Sequence, residues 1–325
     1  MRIGRPLLKL PVRFSGETLA REVSALPASA WGEHPQKLDG NIAVPLVSPG
    51  GAISDAVSGP MGPTQWLRDC RYIQEIMAAL DSTWGRSRLM GLRPGAVVPE
   101  HIDIHYYWRT HLRIHIPVIT NPEVAFTCDG ETVHMKPGEC WILDSFYRHQ
   151  VRNGGKDTRV HLVLDTVGSA HLWDLIREAL SDNAEERLVG PGDIASGRIG
   201  FEQINSPLVM SPWEMQCHLA YIAEWTDPQP GRDELLAIVE RFVMGWTGTW
   251  ARYGISDDGL PVYAGHLDEV QKALAGYKGP EVVMRNTGRL LDTIGGFILA
   301  NALAPQVIER LQARSRQAPP FRVTA

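Results

Sequence analysis

The chain has 325 residues, 44% of them hydrophobic and 21% charged, with a formal net charge of −5. That is ample for a globular core, and the absence of a basic excess argues against nucleic acid or an anionic membrane surface as partner. The basic start is interrupted by Lys9 and Pro11, and the longest apolar run, residues 294–304, is too short for a span. The expectation is therefore a cytoplasmic protein with no signal peptide and no membrane segment.

Residues 7–14 read as an opening strand, and residues 16–26 as a short helix with Leu19, Val23 and Leu26 on one face. Residues 27–64, rich in Gly, Pro and Ser, read as loop with short strands such as 42–47. In residues 66–80, Leu67, Cys70, Ile73, Ile76 and Met77 recur at helical spacing. One amphipathic helix is predicted there, packed on the outer apolar face of a sheet. From residue 86 the period changes to two. Strands are predicted at 88–92, 97–103, 111–119, 124–128, 131–135, 140–144, 149–153 and 158–166. Turn residues such as Lys136-Pro137-Gly138 and Asn153-Gly154-Gly155 separate them. Short strands so closely spaced indicate a jelly roll, a double-stranded β-helix.

After residue 165 the helical period returns, at 171–188, 233–250, 267–277 and 285–303. Another helix opens at the capping box Ser211-Pro212-Trp213-Glu214 and runs to about residue 225. The fold class expected is thus α+β. A jelly-roll domain would occupy residues 1–170, with its β core at 86–168, and a helical C-terminal subdomain residues 171–325. The helical part carries no assignable motif, and packing or homodimerisation through its helices is the reading it supports.

The chemistry concentrates in residues 101–165, which hold seven of the eleven histidines: His101, His105, His111, His115, His134, His149 and His161. His101-Ile102-Asp103 on an extended strand would put both side chains on one face. With His149 they make two histidines and one carboxylate, the facial triad of non-haem Fe(II) oxygenases. In residues 158–164, Arg159 shares a face with His161, and Val160, Leu162 and Leu164 share the other. An inward arginine beside a metal needs an anion, which a dicarboxylate cosubstrate would supply. In residues 112–118, Leu112, Ile114, Ile116 and Val118 form an apolar face, with Arg113 and His115 opposite. Tyr106, Tyr107 and Trp108, between these motifs, are candidates for the substrate pocket or for packing at the barrel rim.

This region resembles the aspartyl/asparaginyl β-hydroxylase family of Fe(II)/2-oxoglutarate dioxygenases, and is similar to the bacterial proline hydroxylases. The resemblance covers about residues 30–170. It rests on Leu92-Arg93-Pro94-Gly95 followed by His101, on Arg113-Ile114-His115, on Met135-Lys136-Pro137-Gly138-Glu139 with Trp141, on Phe146-Tyr147-Arg148-His149, and on Arg159. It implies a hydroxylase that uses Fe(II), 2-oxoglutarate and O₂ on an amino acid, free or within a peptide. His101 and His149 would be iron ligands, Arg159 would bind the distal carboxylate of 2-oxoglutarate, and Arg113 with His115 the carboxylate nearer the metal. The acidic ligand absent from the animal enzymes is present here as Asp103, as in the proline hydroxylases. A serine that contacts 2-oxoglutarate in the animal enzymes falls at Met90.

Two other readings stay open on the residues alone. A cupin-type metal enzyme would explain Pro94-Gly95 with His101-x-Asp103, but gives no reason for Arg159 or Arg113-x-His115. A non-catalytic sensor or binding module could also keep the barrel. His134 and His161 are read as pocket or ordinary histidines, and His34, His171, His218 and His266 as ordinary ones. The pairs His101/His105 and His111/His115 need a helix to converge on zinc, and this window reads as strand. Cys70, Cys128, Cys140 and Cys217, without CxxC spacing, read as buried thiols of a reducing compartment.

Overall fold

The computed structural model describes residues 3–33, 38–181, 184–194 and 198–310; His34 lies outside them. The chain forms two compact units. The first comprises Met1–Asp103 and Tyr107–Asn205, the second Ile104–Tyr106 and Ser206–Ala325.

The strands of the first unit are β1 (Leu7–Phe14), β2 (Gly32–Glu33), β3 (Asn41–Pro49), β4 (Met61–Pro63), β5 (Thr83–Leu92), β6 (Val97–His101) and β7 (Leu112–Ile119). They continue with β8 (Val124–Cys128), β9 (Glu131–Val133), β10 (Glu139–Leu143), β11 (His149–Asn153), β12 (Arg159–Gly168), β13 (Arg187–Val189) and β14 (Gly200–Phe201). The large sheet runs β13-β1-β10-β7-β12-β5-β3-β2, with β14 on β5 and β4 on β3. The small sheet runs β6-β11-β8-β9. Neighbours far apart in sequence, such as β7 between β10 and β12, are what a jelly roll produces. Every strand predicted from the two-residue period is present, with ends shifted by a few residues.

Alternation builds the layers. Ile114, Ile116 and Val118 of β7 and Leu162 and Leu164 of β12 turn outward into one buried cluster. Leu19 and Val23 of α1 (Gly16–Ser24), Leu67 of α2 (Gln65–Asp69) and Ile73, Ile76 and Met77 of α3 (Arg71–Ala79) cover them. The single helix predicted for residues 66–80 is therefore two. Cys70 leaves helical geometry at φ −104° and ψ 84°, which lets each piece follow the curved sheet. A smaller cluster, including Leu92, Phe126, Leu143 and Val151, fills the space between the sheets. Ile116 is wholly buried. Ile116→Ala should cost about 2–5 kcal/mol. A lower urea midpoint at unchanged denaturant slope would register it.

The Pro137-Gly138 turn depends on its glycine. Gly138 has φ +79°, and a Cβ there would run into the Phe14 carbonyl oxygen. The turn places β10 beside β1, since the Phe14 N–H donates to Gly138 O at 2.8 Å.

The expected domain boundary at residue 170 falls inside the first unit. Helix α5 (Ala170–Ala179), following the short α4 (Tyr106–Thr110), buries Leu172, Leu175 and Ile176 in the outer cluster. Strands β13 and β14 then pair with β1 and β5. The helical period marked the change of local structure at residue 170, but the chain needs α5 to cover the sheet before it can leave.

The second unit holds α6 (Pro212–Glu224), α7 (Arg232–Tyr253), α8 (Leu260–Ala275) and α9 (Leu290–Phe297). The predicted capping box is formed, with Ser211 Oγ accepting from Glu214 N at 3.2 Å. Trp246 anchors the bundle. It is fully buried, its ring 4.4 Å from that of Tyr263, and its Nε1 donates to Met210 O at 2.8 Å. No helix among the described residues is long and apolar enough to cross a membrane. Cys70, Cys128 and Cys140 are buried, whereas Cys217 is exposed, contrary to expectation. It sits on the unburied side of α6, where the helical period carries no apolar demand.

Candidate active site

A cavity of about 250 Å³ lies between the two sheets of the first unit. His101 and Val98 line it from β6, His149 and Val151 from β11, and Phe126 from β8. The large sheet contributes Arg86, Arg88 and Met90 from β5, Arg113 and His115 from β7, and Arg159 and Val163 from β12. The two-residue alternation that sent the apolar side chains outward sends these inward. Of the predicted site residues, His101, Asp103, His149, Arg113, His115, Arg159 and Trp108 reach this one cavity.

His101 and His149 are direct partners across the β6–β11 ladder, their rings 4.2 Å apart between centroids. His101 Nδ1 lies 2.8 Å from Pro99 O, and His149 Nδ1 lies 2.9 Å from Tyr147 O. A carbonyl can only accept, so each Nδ1 carries the hydrogen and each Nε2 keeps its lone pair. That tautomer is the one a metal ligand needs, with the ring oriented by its other nitrogen. Burial holds the His149 imidazole down at about 4, so it stays neutral.

Asp103 departs from the expected geometry. Strand β6 ends at His101, and Asp103 stands beyond it, tied by its N–H to Ser145 O at 2.9 Å. Its carboxylate accepts from Arg113 Nη1 at 3.0 Å. Burial raises the Asp103 carboxyl, but Arg113 and the two histidines more than offset this, and it titrates below its ordinary range. A neutral imidazole beside an ionised carboxylate is the protonation state a divalent cation requires. Among the described residues, no group of three His, Cys, Asp or Glu side chains already stands at the spacing of a metal cluster. The donor set fits a cation in kind, with two nitrogen donors and one oxygen donor on one cavity wall.

Arg159 lies deep in the cavity, 5% exposed. Its Nη1 donates to Met90 O at 3.3 Å, and its Nε has no partner. Burial alone brings its guanidinium down to about 10. His115 and His161 are also buried, 5.8 Å apart between ring centroids, and neither has a partner for either ring nitrogen. Burial, then neighbouring cations, holds both imidazoles well below their ordinary range. A buried guanidinium and unsatisfied imidazole nitrogens are costly unless a polar ligand meets them. This end of the cavity is built for an anion.

Arg113 does not have the free guanidinium expected of a cosubstrate contact. Besides Asp103, its Nε donates to Asp165 Oδ1 at 3.1 Å. Of the three aromatic candidates only Trp108 lines the cavity, with the Arg113 guanidinium 4.0 Å and that of Arg86 4.7 Å from its ring centroid. Tyr107 is 1% exposed and stacks on His111 at 3.7 Å between centroids, and its hydroxyl accepts from Arg86 N at 2.7 Å. Gly85 makes room for that hydroxyl, which a Cβ would strike. Tyr106 belongs to the second unit, where it donates to Glu214 Oε1 at 2.6 Å. Neither tyrosine is in the cavity lining; residues 106–110 coil into the short α4, which turns successive side chains about 100° apart. His134, Nδ1 3.3 Å from Val124 O, lies outside the cavity lining, and His111 pairs with Glu202 at 3.1 Å.

Three contributors escaped the sequence reading. Arg86 and Arg88 stand side by side on β5, and Arg88 Nη1 donates to Asp55 Oδ1 at 2.8 Å. Burial, then the neighbouring Arg86, lowers the Arg88 guanidinium to about 10. The signal was the alternation Arg86-Ser87-Arg88 within a strand, which puts both arginines on one face. Asp55, in an irregular loop, gave no signal at all.

Compared with known proteins, residues 64–168 match the family model for aspartyl/asparaginyl beta-hydroxylase. The L-proline cis-4-hydroxylase of Rhizobium meliloti (strain 1021) is 26% identical over 156 residues, 46% of this chain and 56% of that protein. The L-proline cis-3-hydroxylase 1 of a Streptomyces species is 26% identical over 136 residues, 38% of this chain and 45% of its own. The chain spans about half the length of the curated relatives it matches. A solved oxidoreductase of the 2OG-Fe(II) oxygenase family from Burkholderia pseudomallei covers 49% of this chain and 93% of its own, at 11% identity and a TM-score of 0.34. The fold is a jelly roll whose residues 64–168 match the model of that hydroxylase family. More particularly, its β core resembles the aspartyl/asparaginyl β-hydroxylases and the bacterial proline hydroxylases.

Proposed function

We propose that this protein is an Fe(II)- and 2-oxoglutarate-dependent hydroxylase acting on an amino acid or an amino-acid side chain. One observation carries the reading. His101 and His149 both give their Nδ1 hydrogen to a backbone carbonyl, in the same cavity as the ionised Asp103 and the uncompensated Arg159. His101, Asp103 and His149 would hold the iron, which, when bound, couples decarboxylation of 2-oxoglutarate to succinate with insertion of one oxygen atom of O₂ into a substrate C–H bond.

The chain's own residues supply position and exclusion of water. Arg159 anchors the distal carboxylate of the cosubstrate through its planar fork, and His115 offers that buried end a further hydrogen-bonding nitrogen. Phe126, Leu143 and Val151 keep the wall between the anchors apolar. Arg88 pairs across the ladder with Val163, four residues along β12 from Arg159. At the rise of an extended strand, that is a backbone offset of about 13 Å between Arg88 and Arg159, with Arg86 two residues further along β5. The Arg86–Arg88 pair adds a second cationic group to the cavity, which supports a substrate with a carboxylate of its own.

The test needs no substrate. Anaerobic addition of Fe(II) and then 2-oxoglutarate should give the weak visible charge-transfer band of the chelate. Metal binding without that band would remove the 2-oxoglutarate reading and favour a cupin-type metal enzyme on the same barrel.

A further inference from the structure

We propose that Arg113 is a positioning residue for the Asp103 carboxylate, held in place by Asp165 and covered by Trp108, and not a contact for the cosubstrate. The inference rests on the metal reading above, since it concerns how one ligand of that site is aimed.

The three members of the site differ in how the backbone fixes them. His101 and His149 sit opposite each other in a strand ladder and are oriented by carbonyls two residues away. Asp103 has left its strand, and a carboxylate outside a ladder can rotate about both of its side-chain bonds. Arg113 removes that freedom. Its Nη1 donates to Asp103 Oδ2 at 3.0 Å, and the Ser145 side chain is a second hydrogen-bond partner of the same carboxylate.

Arg113 is itself fixed from three sides. Its Nε donates to Asp165 Oδ1 at 3.1 Å, and Arg113 and Asp165 are direct partners across the β7–β12 ladder. The pair is therefore set by backbone register and does not depend on a chance meeting of long side chains. Trp108 lies against the guanidinium face at 4.0 Å. Asp165 is 1% exposed, and its other oxygen is 3.9 Å from Arg86 Nε. Two carboxylates already compensate the Arg113 charge, and turning to a third anion would strand the buried Asp165.

The test separates metal affinity from cosubstrate affinity. Mn(II), a redox-silent stand-in, is titrated into wild type, Arg113→Gln, Arg113→Lys and Asp165→Asn, with free Mn(II) read by electron paramagnetic resonance. The affinity of the Mn(II)-loaded proteins for 2-oxoglutarate is then measured. Loss of an oriented outer contact to a ligand should weaken Mn(II) binding about ten- to a hundredfold in Arg113→Gln. Asp165→Asn should weaken it less, and Arg113→Lys should recover only part, because an ammonium cannot bridge both carboxylates with a planar fork. Cosubstrate affinity at saturating Mn(II) should stay within about threefold throughout, a smaller change than loss of one charged hydrogen bond. Unchanged Mn(II) affinity in Arg113→Gln, with 2-oxoglutarate affinity lost, would overturn the inference and make Arg113 a cosubstrate residue. Wild type that binds no Mn(II) would overturn the metal reading itself. Should Arg113→Gln fail to fold, as judged by circular dichroism, Arg113→Lys and Asp165→Asn carry the same comparison.

Discussion

Replacing His149 by alanine is expected to abolish both the Fe(II)–2-oxoglutarate absorption band and succinate formation, while the protein remains folded. Loss of an outer contact to a metal ligand costs about ten- to a hundredfold in affinity, and removal of the ligand itself should exceed the upper figure. His149 is the centre of the set. It faces His101 across the ladder and stands close enough to Asp103 for their charges to interact. Alanine keeps the extended backbone, so the β6–β11 pairing should survive and thermal unfolding should move little. His161→Ala is the matched control. His161 is equally buried but outside the cavity lining, so that variant should keep the band even if it melts earlier. A band retained in His149→Ala would mean that the metal sits elsewhere.

Arg159→Ala should leave iron binding intact and raise the concentration of 2-oxoglutarate required. Truncating one member of a buried, hydrogen-bonded charge pair costs about 2–5 kcal/mol, roughly a thirtyfold to few-thousandfold loss of affinity. The upper part of that range is favoured here, because Arg159 has no carboxylate partner among the described residues and would interact with the cosubstrate undivided. Arg159→Lys should restore the charge but not the two-pronged geometry, and so recover only part of the affinity. The readout is the charge-transfer band followed against 2-oxoglutarate at fixed Fe(II). Equal requirements in wild type and Arg159→Ala would assign the cosubstrate anchor to another cation of the cavity.

The pairing of Arg113 with Asp103 changes how the charge of the cavity is understood. Arg86, Arg88, Arg113 and Arg159 line it, against Asp55, Asp103 and Asp165 at hydrogen-bonding or ion-pairing distance. Arg113 is neutralised internally and Arg88 shares Asp55, while Arg159 and Arg86 have no carboxylate within 3.5 Å. Four guanidiniums against three carboxylates leave one positive charge, which an anionic ligand would balance.

The sequence by itself determined the jelly roll and the strand faces that bring His101, Arg113, His115, His149 and Arg159 to one cavity. The period of two from residue 86 onward, with turn residues at each break, dictates short strands that expose alternate faces. That alternation alone forces Arg113 and His115 from β7, and Arg159 from β12, to the side opposite the apolar residues that α1, α2 and α3 cover. His101 and His149 were legible because two imidazoles among period-two strands have few other uses together.

What only the tertiary structure decided concerns partners across the ladders and the paths of irregular segments. Asp165 meets Arg113 through the register of β7 and β12, and register depends on the pairing of strands some fifty residues apart, which no local pattern encodes. Asp55 reaches Arg88 from a loop without periodicity, and α4 turns Tyr107 away from the cavity while leaving Trp108 on it. The continuation of the first unit to residue 205 has the same cause. The demand to cover an apolar sheet face acts between distant segments, so it overrode the boundary that the local period suggested.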